Sequence, residues 1–182
     1  MMTLNSFNFN TTSGIRFGSG QAKDSCKEIF NKLGSRILFI TDKGLMSLGL
    51  TKPTIEEIKK MASVEVFDDV EADPSQKTLL KAIEIGKKFK TTGVIGFGGG
   101  SSMDVAKLSS LILGSNEDLE KAWGVANAKG PRLPLVLFPT TAGTGSEVTP
   151  ISIITVGEEE KKGVSSPIIL PDLAILDPDL TL

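Results

Sequence analysis

Short apolar runs alternate with helical patterns along most of this chain. Arg36–Thr41, Val64–Phe67, Val94-Ile95-x-Phe97, Leu133–Phe138 and Leu173–Leu176 read as strands. The first is a continuous apolar run of the kind a parallel strand buried on both faces requires. Between these runs the spacing changes to three and four. Ala22–Leu33 places Cys26, Ile29, Phe30 and Leu33 on one helical face, and Gly34 caps its end. Leu45–Leu50 predicts a short turn of helix, and Pro53 starts another over Thr54–Ala62. Asp73-Pro74-Ser75 opens a helix carrying Leu79, Leu80, Ile83 and Phe89 at apolar spacings. A further helix starts at Ser101 or Ser102 and runs to Leu113, with Val105, Leu108, Leu111 and Ile112 aligned. Two segments read as hairpins: Phe7–Asn10 with Gly14–Phe17, and Ile151–Val156 with Gly163–Ile169 around the charged run Glu158–Lys162.

Strands alternating with helices predict a Rossmann-like α/β fold: a mainly parallel sheet, helices on both faces, and β-hairpins near the N- and C-terminal ends. No repeat, low-complexity tract or linker divides the sequence, so residues 1–182 are expected to form one domain. A net charge of −2, with lysines scattered among acids, gives nothing to attract nucleic acid or an anionic membrane. No apolar run approaches the roughly 20 residues that span a bilayer, and the N-terminus lacks a signal-peptide core. The single cysteine, Cys26, precludes an internal disulfide and suits a reducing compartment, which makes the cytoplasm the expectation. On its apolar helix face Cys26 reads as packing, as does Trp123 in its polar connector.

The chain contains no histidine and no tyrosine. A Ser–His–Asp or Cys–His nucleophile cannot be assembled from it, nor can a His-ligated metal site. We therefore assign no catalytic residue and no metal ligand to it. What remains are binding features, and they follow strand ends. Gly93–Lys107 runs from a strand through Gly98, Gly99 and Gly100 into a helix start, where free amides and the helix dipole suit phosphate; a plain tight turn is the other reading. Ser101-x-x-Asp104 has capping-box spacing. Asp42, after the Arg36–Thr41 strand, stands where nucleotide-binding sheets place an acid for ribose hydroxyls, or is an ordinary N-cap. Pro139–Pro150 interleaves threonines and a serine with glycine, which suits a sugar–phosphate backbone or a solvated loop. Because ligands of such sheets bind at the carboxyl ends of strands, three candidates on one edge suggest a dinucleotide lying across it.

Three motifs, Gly98-Gly-Gly-Ser-Ser-Met-Asp-Val-Ala-Lys107, Pro139-Thr-Thr-Ala-Gly-Thr-Gly-Ser-Glu-Val-Thr149 and Leu170-Pro-Asp-Leu-Ala-Ile-Leu-Asp-Pro-Asp-Leu180, together resemble the iron-containing (group III) alcohol dehydrogenases. The resemblance implies an N-terminal dinucleotide-binding domain, here residues 1–182. It also implies a C-terminal helical domain, outside this sequence, that holds Fe(II) or Zn(II) with one aspartate and three histidines. Residue by residue, Asp42 resembles the acid on the adenosine ribose that favours NAD over NADP. Gly99, Gly100 and Ser101 match the pyrophosphate loop. Thr140, Thr141, Thr144 and Thr149 match the second cofactor loop, with Ile151 close by. Lys161 aligns with a lysine near the cofactor, Leu180 with a leucine beside the nicotinamide half, and Asp73 with a position often occupied by asparagine. The implied activity is metal-assisted hydride transfer between an alcohol or aldehyde and nicotinamide, with no turnover by this chain alone, and the implied assembly is a homodimer. A metal-free nucleotide-binding module and a glycerol dehydrogenase-like relative are the alternatives.

Overall fold

The computed structural model describes residues 7–181. In chain order the elements are β1 (Ile15–Phe17), α1 (Gln21–Asp24), α2 (Cys26–Leu33), β2 (Arg36–Ile40), α3 (Lys43–Ser47), α4 (Lys52–Lys59), β3 (Ser63–Phe67) and α5 (Gln76–Phe89). They continue with β4 (Gly93–Gly98), α6 (Gly100–Ser115), α7 (Leu119–Ala122), β5 (Gly124–Val125), β6 (Leu135–Pro139), β7 (Ile151–Val156), β8 (Glu160–Ser165) and β9 (Leu173–Leu176). Six strands form one parallel sheet in the order β1-β9-β6-β4-β2-β3.

Alternation along the central strands divides the core between two faces. Leu38 and Ile40 of β2, Val94 of β4 and Leu135 and Leu137 of β6 pack with α5 and α6. Ile37, Phe39, Ile95, Phe97, Val136 and Phe138 face the other way, onto α2 and α4. On that second face Phe97 stacks on Phe39 at 5.5 Å and on Phe138 at 5.2 Å, which ties the three middle strands together. The helices after β2 therefore lie on one face and the helix after β4 on the other. The chain changes direction between these two neighbouring strands.

The N-terminal hairpin does not form. Phe7–Asn10 makes no strand, and Ile15–Phe17 pairs in parallel with β9, in the register Ile15↔Ala174. Period-two alternation identifies a strand but not its partner. Here the partner lies about 160 residues away, held also by Thr12 Oγ1 donating to the Pro171 carbonyl at 2.9 Å. The C-terminal hairpin is present as antiparallel β7 and β8, with a shorter turn than the sequence suggests. Gly157 takes φ +65° at that turn, and Glu160-Lys161-Lys162 belongs to β8. β5 adds a third, parallel strand to this small sheet. The helix expected over Ala22–Leu33 is broken at Ser25 into α1 and α2.

The small sheet covers α6 from the side away from the main sheet, burying Ile154 and Val164 against it. This explains why α6 is buried almost all round, including Lys107, Ser109 and Ser110, and not along one stripe.

Candidate functional site

Asp42, Gly99 and Thr140 follow β2, β4 and β6, three adjacent parallel strands, and so emerge at the same edge of the sheet. Two adjoining cavities, of about 660 and 570 Å³, open there. The first is lined by Asp42, Gly99, Ser101, Thr140, Thr141 and Leu180, among others. The second is lined by Asp73, Gly100, Ser101, Thr144, Thr149, Ile151 and Lys161. Ser101 lies in both walls, so all twelve positions singled out in the sequence border one continuous groove.

The middle of the groove is the start of α6. Gly98 has φ +151°, a conformation that glycine alone adopts readily, and a Cβ there would meet Ser102 Oγ at 2.7 Å. Gly99 occupies the N-cap with no side-chain cap, and the first bond into the helix runs from Met103 N–H to the Gly99 carbonyl. The amides ahead of Met103 have no carbonyl below them, as at any helix start, and they carry the positive end of the dipole. A Cβ on Gly99 would stand 3.6 Å from Thr141 Oγ1, and one on Gly100 3.1 Å from Thr144 Cγ2. Glycine keeps open the gap between helix start and hydroxyl loop that a side chain would fill. A phosphate fits this donor set: backbone amides on one side and threonine hydroxyls on the other.

Asp42 is an N-cap, one of the two readings its position allowed, and it also borders the first cavity. Its Oδ1 accepts the Leu45 N–H at 2.9 Å, capping α3, and its side chain forms part of the first cavity's wall. Beside it Lys43 and Asp69 form an ion pair that holds Asp69 below the usual carboxylate range, chiefly through the lysine's hydrogen bond. In the second cavity Asp73, at φ +53°, is paired with Lys161 at 2.5 Å. Lys162 points elsewhere, toward Glu120 at 3.8 Å, so of the two adjacent lysines only Lys161 reaches the groove. Leu180 sits on a single turn, Pro178–Leu180, whose cap Asp177 also accepts the Ala22 N–H at 2.9 Å.

The Ser101–Asp104 capping box is not present. The helix begins one residue before Ser101, and the Asp104 carboxylate turns to the opposite loop. Its Oδ1 accepts from Ser146 Oγ at 2.7 Å and its Oδ2 from the Ile153 N–H at 3.0 Å. Burial pushes Asp104 up, opposed by Lys107 and these two hydrogen bonds. Asp104 also lines the second cavity, a role the cap assignment concealed. The available signal was compositional: Asp104 and Lys107 are the only charges in an otherwise apolar and small-residue helix. Cys26 is buried and, by burial first and then by Glu57 and Asp24, is pushed up from 9.0 to about 12, as a packing residue would be. Trp123 packs against the main core.

Among the described residues no three His, Cys, Asp or Glu side chains cluster as metal ligands, and the sequence supplies no histidine. A resident iron or zinc does not fit the donors of this chain. No helix of the described residues is long and apolar enough to cross a membrane.

A family model described as iron-containing alcohol dehydrogenase matches residues 12–178. Sulfoacetaldehyde reductase of Bilophila wadsworthia is 36% identical over 174 residues, covering 94% of this chain and 45% of the relative. Choline dehydrogenase of Bacillus subtilis is 38% identical over 178 residues, covering 94% and 44% respectively. Among solved structures, sulfoacetaldehyde reductase from Bifidobacterium kashiwanohense in complex with NAD+ has a TM-score of 0.85 at 32% identity. A 1,3-propanediol oxidoreductase has a TM-score of 0.88 at 28% identity. Each of these two covers 97% of this chain, which in turn covers 47% of each. The chain spans about half the length of the curated relatives it matches. With the motifs, the parallel sheet and these similarities in agreement, the chain belongs to the iron-containing alcohol dehydrogenase family.

Proposed function

We propose that this chain is the cofactor-binding domain of an NAD-dependent alcohol or aldehyde oxidoreductase. The observation that carries the reading is the single groove joining Asp42, the uncapped start of α6 and the Thr140–Thr149 loop. In this reading the pyrophosphate lies against Gly99, Gly100 and Ser101, with Thr140, Thr141 and Thr144 opposite. The adenosine half enters the first cavity, where Asp42 accepts from ribose hydroxyls and repels a 2′-phosphate. The nicotinamide half lies toward the second cavity, beside Thr149, Ile151 and Lys161, with Asp73 held to Lys161. Leu180 lines the first cavity with Asp42, so in this reading it borders the adenosine half and not the nicotinamide half that the resemblance implied for it.

Bound there, nicotinamide supplies the hydride acceptor or donor. The residues of this chain orient the cofactor and exclude one of its two forms; none of them moves the substrate proton. The relatives' family name includes iron, but no step through a metal is derived from these residues, and the 182-residue chain by itself is expected to oxidise no alcohol. Cytoplasmic placement is proposed on the single cysteine, Cys26, which is free and buried. A homodimer is proposed on β1, which among the described residues is an end strand of the main sheet and carries Phe17, 76% exposed. Sedimentation at monomer mass across the micromolar range would remove that second proposal.

Isothermal calorimetry of the chain with NAD and with NADP tests the main reading. It requires NAD binding, and tighter binding of NAD than of NADP. Tighter NADP binding would overturn the role of Asp42, and no binding of either would overturn the cofactor reading itself.

A further inference from the structure

Helix α6 is sandwiched between two sheets, so a charge in its middle has to find partners inside the protein. Lys107 is 0% exposed. Its Nζ donates to Ser146 Oγ at 2.8 Å, to the Thr149 carbonyl at 3.0 Å and to the Ile151 carbonyl at 2.8 Å. Three protons meet three acceptors, the full capacity of an ammonium; a neutral amine would turn its lone pair on one of those carbonyls. Ser146 then donates onward to Asp104 Oδ1, whose Oδ2 takes the Ile153 N–H. Ser152 Oγ donates to the Asp104 carbonyl at 3.0 Å. One turn of α6 thus holds the inner side of the segment from Ser146 to Ile153, while the outer side of the same segment gives Thr149 and Ile151 to the second cavity.

A buried ammonium is a costly way to fill space that a methionine would fill without desolvating a charge. Its distinguishing property is that it gathers carbonyls which otherwise have no reason to converge. Lys107 stays out of both cavity walls, so it acts only through the segment it holds. We propose that Lys107 is a positioning residue for the second half of the groove, fixing Ser146–Ile151 in the shape that presents Thr149 and Ile151 to the ligand. The proposal rests on the dinucleotide reading above for its ligand, but not for its geometry. Two charged groups face the ammonium, Asp104 from its own helix and Glu147 from the loop, and both support its protonated form against burial, which pulls it down to about 8.

The test uses the 182-residue chain, Lys107→Met, Ser146→Ala and two readouts. The first is hydrogen exchange at the amides of Ser146–Ile153 compared with those of Gly99–Met103. The second is the NAD dissociation constant measured between about pH 7 and pH 9. Loss of a charge-assisted contact predicts NAD binding weaker by about tenfold or more in Lys107→Met, with faster exchange in Ser146–Ile153 and unchanged exchange at Gly99–Met103. The wild-type affinity should weaken above about pH 8 as the third proton leaves, and Lys107→Met should show no such slope. Should Lys107→Met fail to fold, Ser146→Ala removes one of the three acceptors and the relay to Asp104, and must show the same local acceleration of exchange. Wild-type exchange in the loop of a folded variant, or an identical pH slope in Lys107→Met, overturns the proposal. If the wild-type chain binds no NAD, the cofactor reading fails, and the positioning role is decided by hydrogen exchange alone.

Discussion

Replacing Gly96 by alanine tests the seating of α6 on the sheet, on which the whole groove depends. Gly96 lies in the middle of β4, opposite Leu137 of β6, on the face that carries α6. An added Cβ would stand 2.6 Å from Ala106 Cβ and 2.7 Å from Leu137 Cδ2. Carbon atoms in contact prefer about 3.5–4.0 Å, so helix and strand must part by roughly 1 Å. Leucine can rotate away, but Ala106 has no freedom except through the helix backbone. Overpacking of this kind costs about 1–3 kcal/mol. For a domain of this size each kcal/mol lowers Tm by about 2–4 °C, which gives a fall of about 2–12 °C. The displacement also carries the amides at Gly100–Ser102 away from Thr141 and Thr144, so NAD affinity should fall with Tm. Differential scanning calorimetry and titration with NAD measure the two effects. Gly157→Ala is the control: its Cβ meets nothing within 4 Å, so only the backbone penalty of φ +65° applies and NAD binding should stay unchanged. A Gly96→Ala protein with wild-type Tm and affinity would refute the close packing of α6 on β4.

Three other outcomes follow from single contacts. Asp42→Asn retains an oxygen to cap Leu45 but removes the charge; at a half-exposed site one charge pair near 4 Å is worth about 1 kcal/mol, so the preference for NAD over NADP should narrow about fivefold in titrations, with Tm unchanged. Asp177→Ala removes the acceptor of three N–H groups. That of Ala22 is buried and is left unpaired at about 1–3 kcal/mol, while those of Gly20 and Asp179 are part-buried and can turn to water, so thermal melts should show a drop of about 2–12 °C. Cys26 should resist a disulfide reagent at pH 8 in the native protein and react on unfolding. Because its folded pKa lies above its unfolded 9.0, the stability it contributes is complete below 9.0 and is lost as pH rises towards about 12, which alkaline denaturation of wild type against Cys26→Ala would register.

The strands of the main sheet were legible because residues such as Ile37–Ile40 and Leu135–Phe138 are apolar without interruption, and only burial on both faces tolerates that. Strand partnership was not legible: Ile15–Phe17 alternates as a hairpin strand does, yet pairs with residues at the far end of the chain. The groove was readable from its residue types, since glycines, threonines and an acid each followed a strand end. Asp104 was misread for a physical reason. Ser-x-x-Asp spacing is a local signal, and a carboxylate of that reach serves equally well as an acceptor for another loop; the packing of β7 over α6 decides which. The same long-range packing hides Lys107, which sequence places merely at the end of a motif.

The position of the groove follows from the order of the strands. After β2 the chain leaves for the face of α4, and after β4 for the face of α6, although the two strands are neighbours. Connections that depart to opposite faces cannot cover the edge between them, so a crevice stays open where they separate. Asp42 stands on one lip of it and Gly99 on the other, with Thr140 held one strand further along by its N–H to the Gly98 carbonyl at 3.0 Å. The parallel direction of β2, β4 and β6 is what aims all three at the same side. An antiparallel β4 would send the helix start to the opposite end of the sheet, and no arrangement of glycines and threonines could then assemble this site. Glycine and hydroxyl motifs at strand ends therefore point to a ligand only when the intervening segments read as helices long enough to return the chain in parallel. Here α5, with 14 residues, and α6, with 16, meet that condition.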